Sequence, residues 1–296
     1  MVLEGLIGIL LIMAVELGLI LKISFFQIFA TPVAWTGYIL LVDYINYRLK
    51  GRSVIFHTPG VFARMFFLSV LFWWIFEWFN IFLSNWTYYN LLESLSLKYL
   101  GYFWAFGTIL PAVLFTADLF KNLGLFKQRL PKIPVRSFTL GILFLIGLIF
   151  IFMPLLSFSS RFIDGSADKD LFFFLPKILP FSSRKFLAAF VWLGFIFVLD
   201  PLLYLLKKRY SILGDLEKGD GRNLLSLILS GFVCGFLWEF WNYWALTKWK
   251  YSVPILSHIK IFEMPIPGYF GFPAFAVELY LMYNFFQVLY PGSETY

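Results

Sequence analysis

The chain has 296 residues, of which 60% are hydrophobic, 22% aromatic and only 14% charged, with a mean hydropathy of +0.80. A soluble globular chain is nearer half apolar and a quarter charged, so these values exclude that class and point to an all-α, polytopic helical membrane protein. A net charge of +7 would suggest nucleic acid in a soluble protein. Here the basic residues fall in loops between apolar runs, where topology and anionic headgroups account for them, and no nucleic-acid partner is expected.

In chain order the apolar runs lie at about 3–21, 30–48, 62–83, 101–120, 137–156, 186–206, 223–246 and 269–290, each long enough to predict a membrane-spanning helix. The N-terminal Met-Val-Leu-Glu lacks the basic start of a removable signal peptide, so the first run is expected to be a permanent span. The C-terminal "PGSETY" carries no prenylation box. Between the fifth and sixth runs, "SSRFIDGSADKD" reads as a polar loop. The apolar stretch near 171–182, interrupted by two prolines, reads as an interfacial segment. An even number of spans puts both termini on one side. The loops 48–64, 119–136 and 207–222 on that side hold the larger share of the 24 Lys and Arg. The expectation is a prokaryotic cytoplasmic membrane with both termini in the cytoplasm.

The chain repeats itself. "WTGYILLVDYINYRLK" from Trp35 aligns without gaps on "WLGFIFVLDPLLYLLK" from Trp192, which pairs Asp43 with Asp200 and Tyr47 with Tyr204. Further on, "FEWFN" (Glu77, Asn80) matches "WEFWN" (Glu239, Asn242), "WTY" at Trp86 matches "WKY" at Trp249, and "GYF" at Gly101 matches "GYF" at Gly268. Polar matches in series and in order mark a duplication: a first four-helix membrane repeat over 1–130 and a second over 131–296. Four spans per repeat keep both in one orientation, related by an axis along the membrane normal.

Ionisable groups within spans are costly and face a bundle interior, a cavity or a partner. Asp43 and Asp200 lie near helix ends beside Arg48 and Lys50 or Lys207 to Arg209, and pairing there is the expected role. Glu77 with Asn80 and Glu239 with Asn242 are spaced i, i+3 and share a helix face at the other end of the spans. The second repeat adds Glu263 in "KIFEMPIPGYFGF" and Glu278 in the final span, which the first repeat does not match. A carboxylic acid kept neutral by apolar surroundings can donate a proton. Aromatic faces stabilise positive charge without trapping it. Together they suit protonation of a carbon–carbon double bond.

Some chemistries are excluded. Two histidines, His57 and His258, cannot build a histidine-rich di-iron site, and no zinc-protease helix, Walker loop or nucleophile elbow is present. No aspartate-rich motif for magnesium-dependent prenyl transfer occurs, and "DGSADKD" reads as a solvated loop. The single cysteine, Cys234, is expected to be a small buried hydrophobe.

Trp238-Glu239, Trp249-Lys250-Tyr251 and "IFEMPIPGYFGF" resemble the integral-membrane carotenoid enzymes, the duplicated lycopene cyclases and related carotenoid hydratases, over residues 237–280 and more faintly over the repeat partner. The resemblance implies protonation of a linear polyene by acidic residues, with no metal or other cofactor. The cyclase pattern has paired glutamates after the proline, whereas here Glu263 stands alone before Pro265, so that pair is not carried over.

The expected function is a membrane-embedded enzyme acting by carboxyl acid catalysis on an isoprenoid, carotenoid-like or other long apolar membrane lipid, of cyclase or hydratase type. Glu239 is the expected general acid and Asn242 its orienting partner. Glu263 and Glu278 would supply a second carboxyl, and Glu77 with Asn80 would complete the site. Trp238, Trp241, Trp249, Tyr251 and Tyr269 are the expected wall of the substrate site. Buried acids at two depths also fit a proton-coupled transporter or channel, and acids that only pair helices would fit a scaffold subunit. The sequence leaves the oligomeric state open.

Overall fold

A computed structural model describes residues 2–127, 129–155, 186–252 and 255–290. The polar loop and the 171–182 segment fall outside these residues. The described chain is helical apart from two short strand pairs. Its helices are α1 (Val2–Ile20), α2 (Ser24–Lys50), α3 (Val54–His57), α4 (Pro59–Leu83), α5 (Leu95–Gly107), α6 (Ile109–Asn122), α7 (Ser137–Phe152), α8 (Ala188–Lys207), α9 (Ile212–Glu217), α10 (Arg222–Trp244) and α11 (Gly271–Leu289). Seven helical stretches among the described residues are long and apolar enough to cross a membrane, α5 and α6 together forming one of them. The eighth expected span, α7, has 16 helical residues, short of a full crossing.

Prolines set the irregularities. α2 begins earlier than the apolar pattern suggested. Its first turns bend at Phe29 (φ −105°, ψ 22°) just ahead of Pro32, which cannot donate to the helix and crowds the preceding turn. The α5–α6 span breaks at Thr108, where Pro111 removes the N–H that would have bonded to Gly107.

Close helix crossings occur at glycines. A methyl added at Gly37 of α2 would lie 2.8 Å from the Gly8 carbonyl oxygen of α1, and one added at Gly147 of α7 would lie 2.8 Å from that of Gly194 in α8. Small residues of this kind let backbones touch where lipid offers no hydrophobic drive. Gly37 and Gly194 are aligned positions, so the same pair of helices crosses at the same place in each half.

Asp43 and Asp200 take the same role as each other, though not the expected one. Asp43 accepts from the backbone N–H groups of Val54 (2.9 Å) and Ile55 (3.3 Å) and from the Ser53 hydroxyl. Asp200 accepts from those of Ile212 (2.9 Å) and Leu213 (3.0 Å). Each aspartate therefore caps the first turn of the short helix that follows, α3 or α9, and satisfies donors that the helix cannot. Among the described residues neither makes the expected ion pair. Lys208 turns instead to Glu217.

Opposite this end, β1 (Trp86–Tyr89) pairs antiparallel with β2 (Lys248–Tyr251), and β3 (Lys260–Ile261) with β4 (Met264–Pro265). The β1–β2 ribbon joins the two halves of the sequence. Its register places Trp86 opposite Tyr251, Thr87 opposite Lys250 and Tyr88 opposite Trp249. Exchanging Trp86 with Trp249 and Tyr88 with Tyr251, the residues aligned in sequence, turns the first pair into the third. The register is thus unchanged by a two-fold exchange centred on Thr87 and Lys250.

Candidate functional site beneath the aromatic ribbon

Alternation along the ribbon turns Trp86, Tyr88, Trp249 and Tyr251 to one face, and all four line a cavity beneath it. The cavity lies between α2, α4, α5, α8, α10 and α11 and is open at its mouth. Trp35 and Trp192 line it, as do Gly101 and Gly268, two further pairs of aligned positions. Trp238 lies on its wall, with ring centroids 5.5 Å from Trp73, 5.6 Å from Trp249 and 5.9 Å from Trp35. The deep wall is apolar and includes Phe76, Phe106, Ile109 and Phe275.

Two asparagines hold the ribbon. The Asn242 amide donates to the Trp249 carbonyl (2.9 Å) and accepts from the Trp249 N–H (2.9 Å). Asn80 donates to the Trp86 carbonyl (2.9 Å) and accepts from the N–H groups of Trp86 (3.2 Å) and Asn85 (2.8 Å). Each side chain satisfies both backbone groups of one strand residue, as a neighbouring strand would. Asn242 is therefore occupied by the ribbon and makes no bond to Glu239.

Two glutamates hold the ribbon's tyrosines. Tyr251 donates its hydroxyl hydrogen to Glu239 Oε1 (2.9 Å) and receives the Trp249 indole N–H (2.8 Å). Glu239 is fully buried, and its Oε2 meets no hydrogen-bond partner among the described residues. In the first half, Tyr88 (2.5 Å), Trp73 (2.8 Å) and Trp86 (3.1 Å) all donate to Glu77 Oε1. Both tyrosines belong to the ribbon, outside the helical spans. Burial first, and then the adjacent carboxylate, push each phenol well above its ordinary value, so each remains a neutral donor.

The other expected residues are dispersed. Trp238, Trp249 and Tyr251 are on the cavity wall, but the glutamates lie one layer behind it. Trp241 is off the wall, edge-on to Trp35 at 5.1 Å with its N–H on Glu16 (2.9 Å). Tyr269 ties the hairpin down by donating to the Ile261 carbonyl (3.0 Å). Glu263 pairs with Lys248 (3.3 Å). Glu278 is fully buried in α11, off the wall, and neither of its oxygens meets a partner among the described residues. Among those residues no three of His, Cys, Asp and Glu gather as a metal site.

Sequence reasoning left out Trp73, Tyr88, Lys98, Tyr102 and Lys248, all on the wall. The signal for Tyr88 was present, because the repeated Trp-x-Tyr pattern places it opposite Tyr251. No family model, curated protein or solved structure matches the chain.

Proposed function

We propose that the chain is a membrane-embedded enzyme that transfers a proton to a long apolar lipid of isoprenoid class, in a reaction of cyclase or hydratase type, within the cavity under the ribbon. The observation that carries this reading is the Tyr251–Glu239 pair: a phenol on the wall backed by a buried carboxyl with one uncommitted oxygen. In this reading Glu239 starts as the neutral acid: its proton passes to the Tyr251 oxygen as the Tyr251 hydroxyl hydrogen goes to an alkene carbon, which leaves Glu239 as the carboxylate. The indole and phenyl faces stabilise the resulting carbocation until a proton is lost or water adds. The two four-helix units, 1–130 and 131–296, would have arisen by duplication, and cytoplasmic termini would put the ribbon at the outer leaflet.

The test is mass spectrometry of lipids that copurify with the protein from a polyene-producing host, comparing wild type with Glu239→Gln and Tyr251→Phe. Bound isoprenoid in all three, with converted product in wild type alone, supports the reading. Equal conversion in all three overturns it.

Glu278 favours a second reading, a proton-coupled carrier, because a buried carboxyl in a span that meets no partner among the described residues is a common proton-relay element. Proton flux in liposomes that Glu278→Gln abolishes would favour that reading.

A further inference from the structure

We propose that the cavity is built for an amphiphile with an anionic, phosphate-class head on a single long apolar tail, the head being held at the rim by Lys98. The inference rests on the lipid cavity described above and narrows what fills it. One face of the α5–α6 span runs along the wall: Lys98, then Gly101 and Tyr102, then Ala105 and Phe106, then Ile109. At 1.5 Å per residue the α5 part of this wall, Lys98 to Phe106, extends about 12 Å. The burial of the wall is graded along its length. Residues 93–97, ahead of Lys98, are exposed, whereas Ile109 at the far end is buried.

Among the described residues two charged side chains line the cavity, Lys98 and Lys248, and both are cationic. Lys248 is already matched, by Glu263 at 3.3 Å and the Tyr243 carbonyl at 2.5 Å. Lys98 is half-buried and meets no carboxylate within ion-pairing distance among the described residues; its contact is the Tyr99 ring at 5.7 Å. A partly desolvated ammonium beside an apolar chamber is unfavourable until an anion joins it. A tail that fills the chamber would deliver such an anion to the rim. Among the described residues no carboxylate lines the cavity to repel it.

The experiment titrates purified full-length protein in neutral detergent with geranylgeranyl monophosphate, geranylgeraniol or inorganic phosphate, and follows quenching of the wall tryptophans. The phosphate lipid is expected to bind at least about tenfold more tightly than the alcohol. Lys98→Met should erase that preference while leaving alcohol affinity unchanged, and Lys98→Arg should keep it. Equal binding of the two lipids by wild type, or a preference that survives Lys98→Met, overturns the inference and leaves the lipid cavity standing. Binding of neither lipid overturns both. Displacement of the bound lipid by inorganic phosphate alone would also overturn the amphiphile assignment. Lys98 is at the rim of the chamber, and an unchanged melting temperature for Lys98→Met confirms that the comparison is between folded proteins.

Discussion

Replacing Asn242 by Ala tests whether this asparagine holds the ribbon or serves the carboxyl beside it. Asn242 is fully buried and its amide makes two bonds to Trp249, both at 2.9 Å. Each such bond contributes about 1 kcal/mol net, and a buried backbone group left unmatched costs about 1–3 kcal/mol. Truncation therefore removes two bonds and orphans an N–H and a carbonyl, for a loss of about 2–4 kcal/mol. In a chain of this size that corresponds to a fall of about 4–10 °C in melting temperature. The assay is built into the molecule, because Cys234 is the single cysteine and is buried, so a thiol-reactive dye reports unfolding without engineering. Asn80→Ala, which removes three bonds of the same kind, should cost at least as much. Glu239→Gln, which keeps an acceptor for the Tyr251 hydroxyl, should melt within about 2 °C of wild type. If Asn242→Ala melted with wild type, or if Glu239→Gln proved the more damaging substitution, the assignment of Asn242 to the ribbon would be refuted.

Gly37→Ala forces a methyl against the Gly8 carbonyl oxygen and should cost about 1–3 kcal/mol, read by the same dye. Gly60→Ala, where a methyl meets nothing within 4 Å, should be neutral or slightly stabilising. The loop between α9 and α10 carries a pH-dependent pair. Arg222, 2.5 Å from Asp220, holds that carboxyl at about 2, below its ordinary value near 3.9. A depressed folded value means that the contribution is complete above about pH 5 and is lost as pH falls toward 2. Partial exposure limits it to about 1 kcal/mol or less. Melting followed by tryptophan fluorescence should show Asp220→Asn about 1–2 °C below wild type at pH 7, with the gap narrowing below about pH 4 and closing only as pH falls below about 2. A gap that widened on acidification would reverse the sign of this argument.

The spans were legible because each is a long apolar run, and length and hydropathy are local properties of sequence. Their kinks and breaks followed from Pro32 and Pro111 only once the helices were seen. The ribbon was not legible, since Trp86–Tyr89 and Lys248–Tyr251 lie in opposite halves of the chain and four residues of strand give no usable period. The repeated Trp-x-Tyr nevertheless carried its pairing in disguise. For the aspartates the reasoning found a structural role but chose the wrong partner. Nearby arginines and lysines suggested ion pairs, whereas the orphan N–H groups of α3 and α9 lie within hydrogen-bond distance of the carboxylates and need an acceptor. For the outer acids the i, i+3 spacing was read as one functional pair. Helix geometry does bring Glu239 and Asn242 to one side, but each side chain reaches a different part of the ribbon, the phenol of Tyr251 or the backbone of Trp249.

Polar residues present in both halves have structural work to do in both. Asp43 and Asp200 cap the following helix, Asn80 and Asn242 hold the strands, and Glu77 and Glu239 each hold a tyrosine. A role that a fold needs twice is explained by the fold. Polar equipment that occurs once includes the Lys248–Glu263 pair, Glu278, Glu4, Glu16 and Lys98, beside which stands the Glu239 Oε2 that meets no partner among the described residues. Burying such groups in a lipid-embedded bundle is unfavourable, and apart from Glu239, whose counterpart is Glu77, the repeat aligns no like residue with them. Three of these features adjoin the cavity: Lys98 and the Lys248–Glu263 pair through its lysine, and Glu239 through Tyr251. Substitutions there should divide from those at the duplicated positions, altering ligand binding or conversion while leaving melting unchanged. Asn80 and Asn242 should do the reverse.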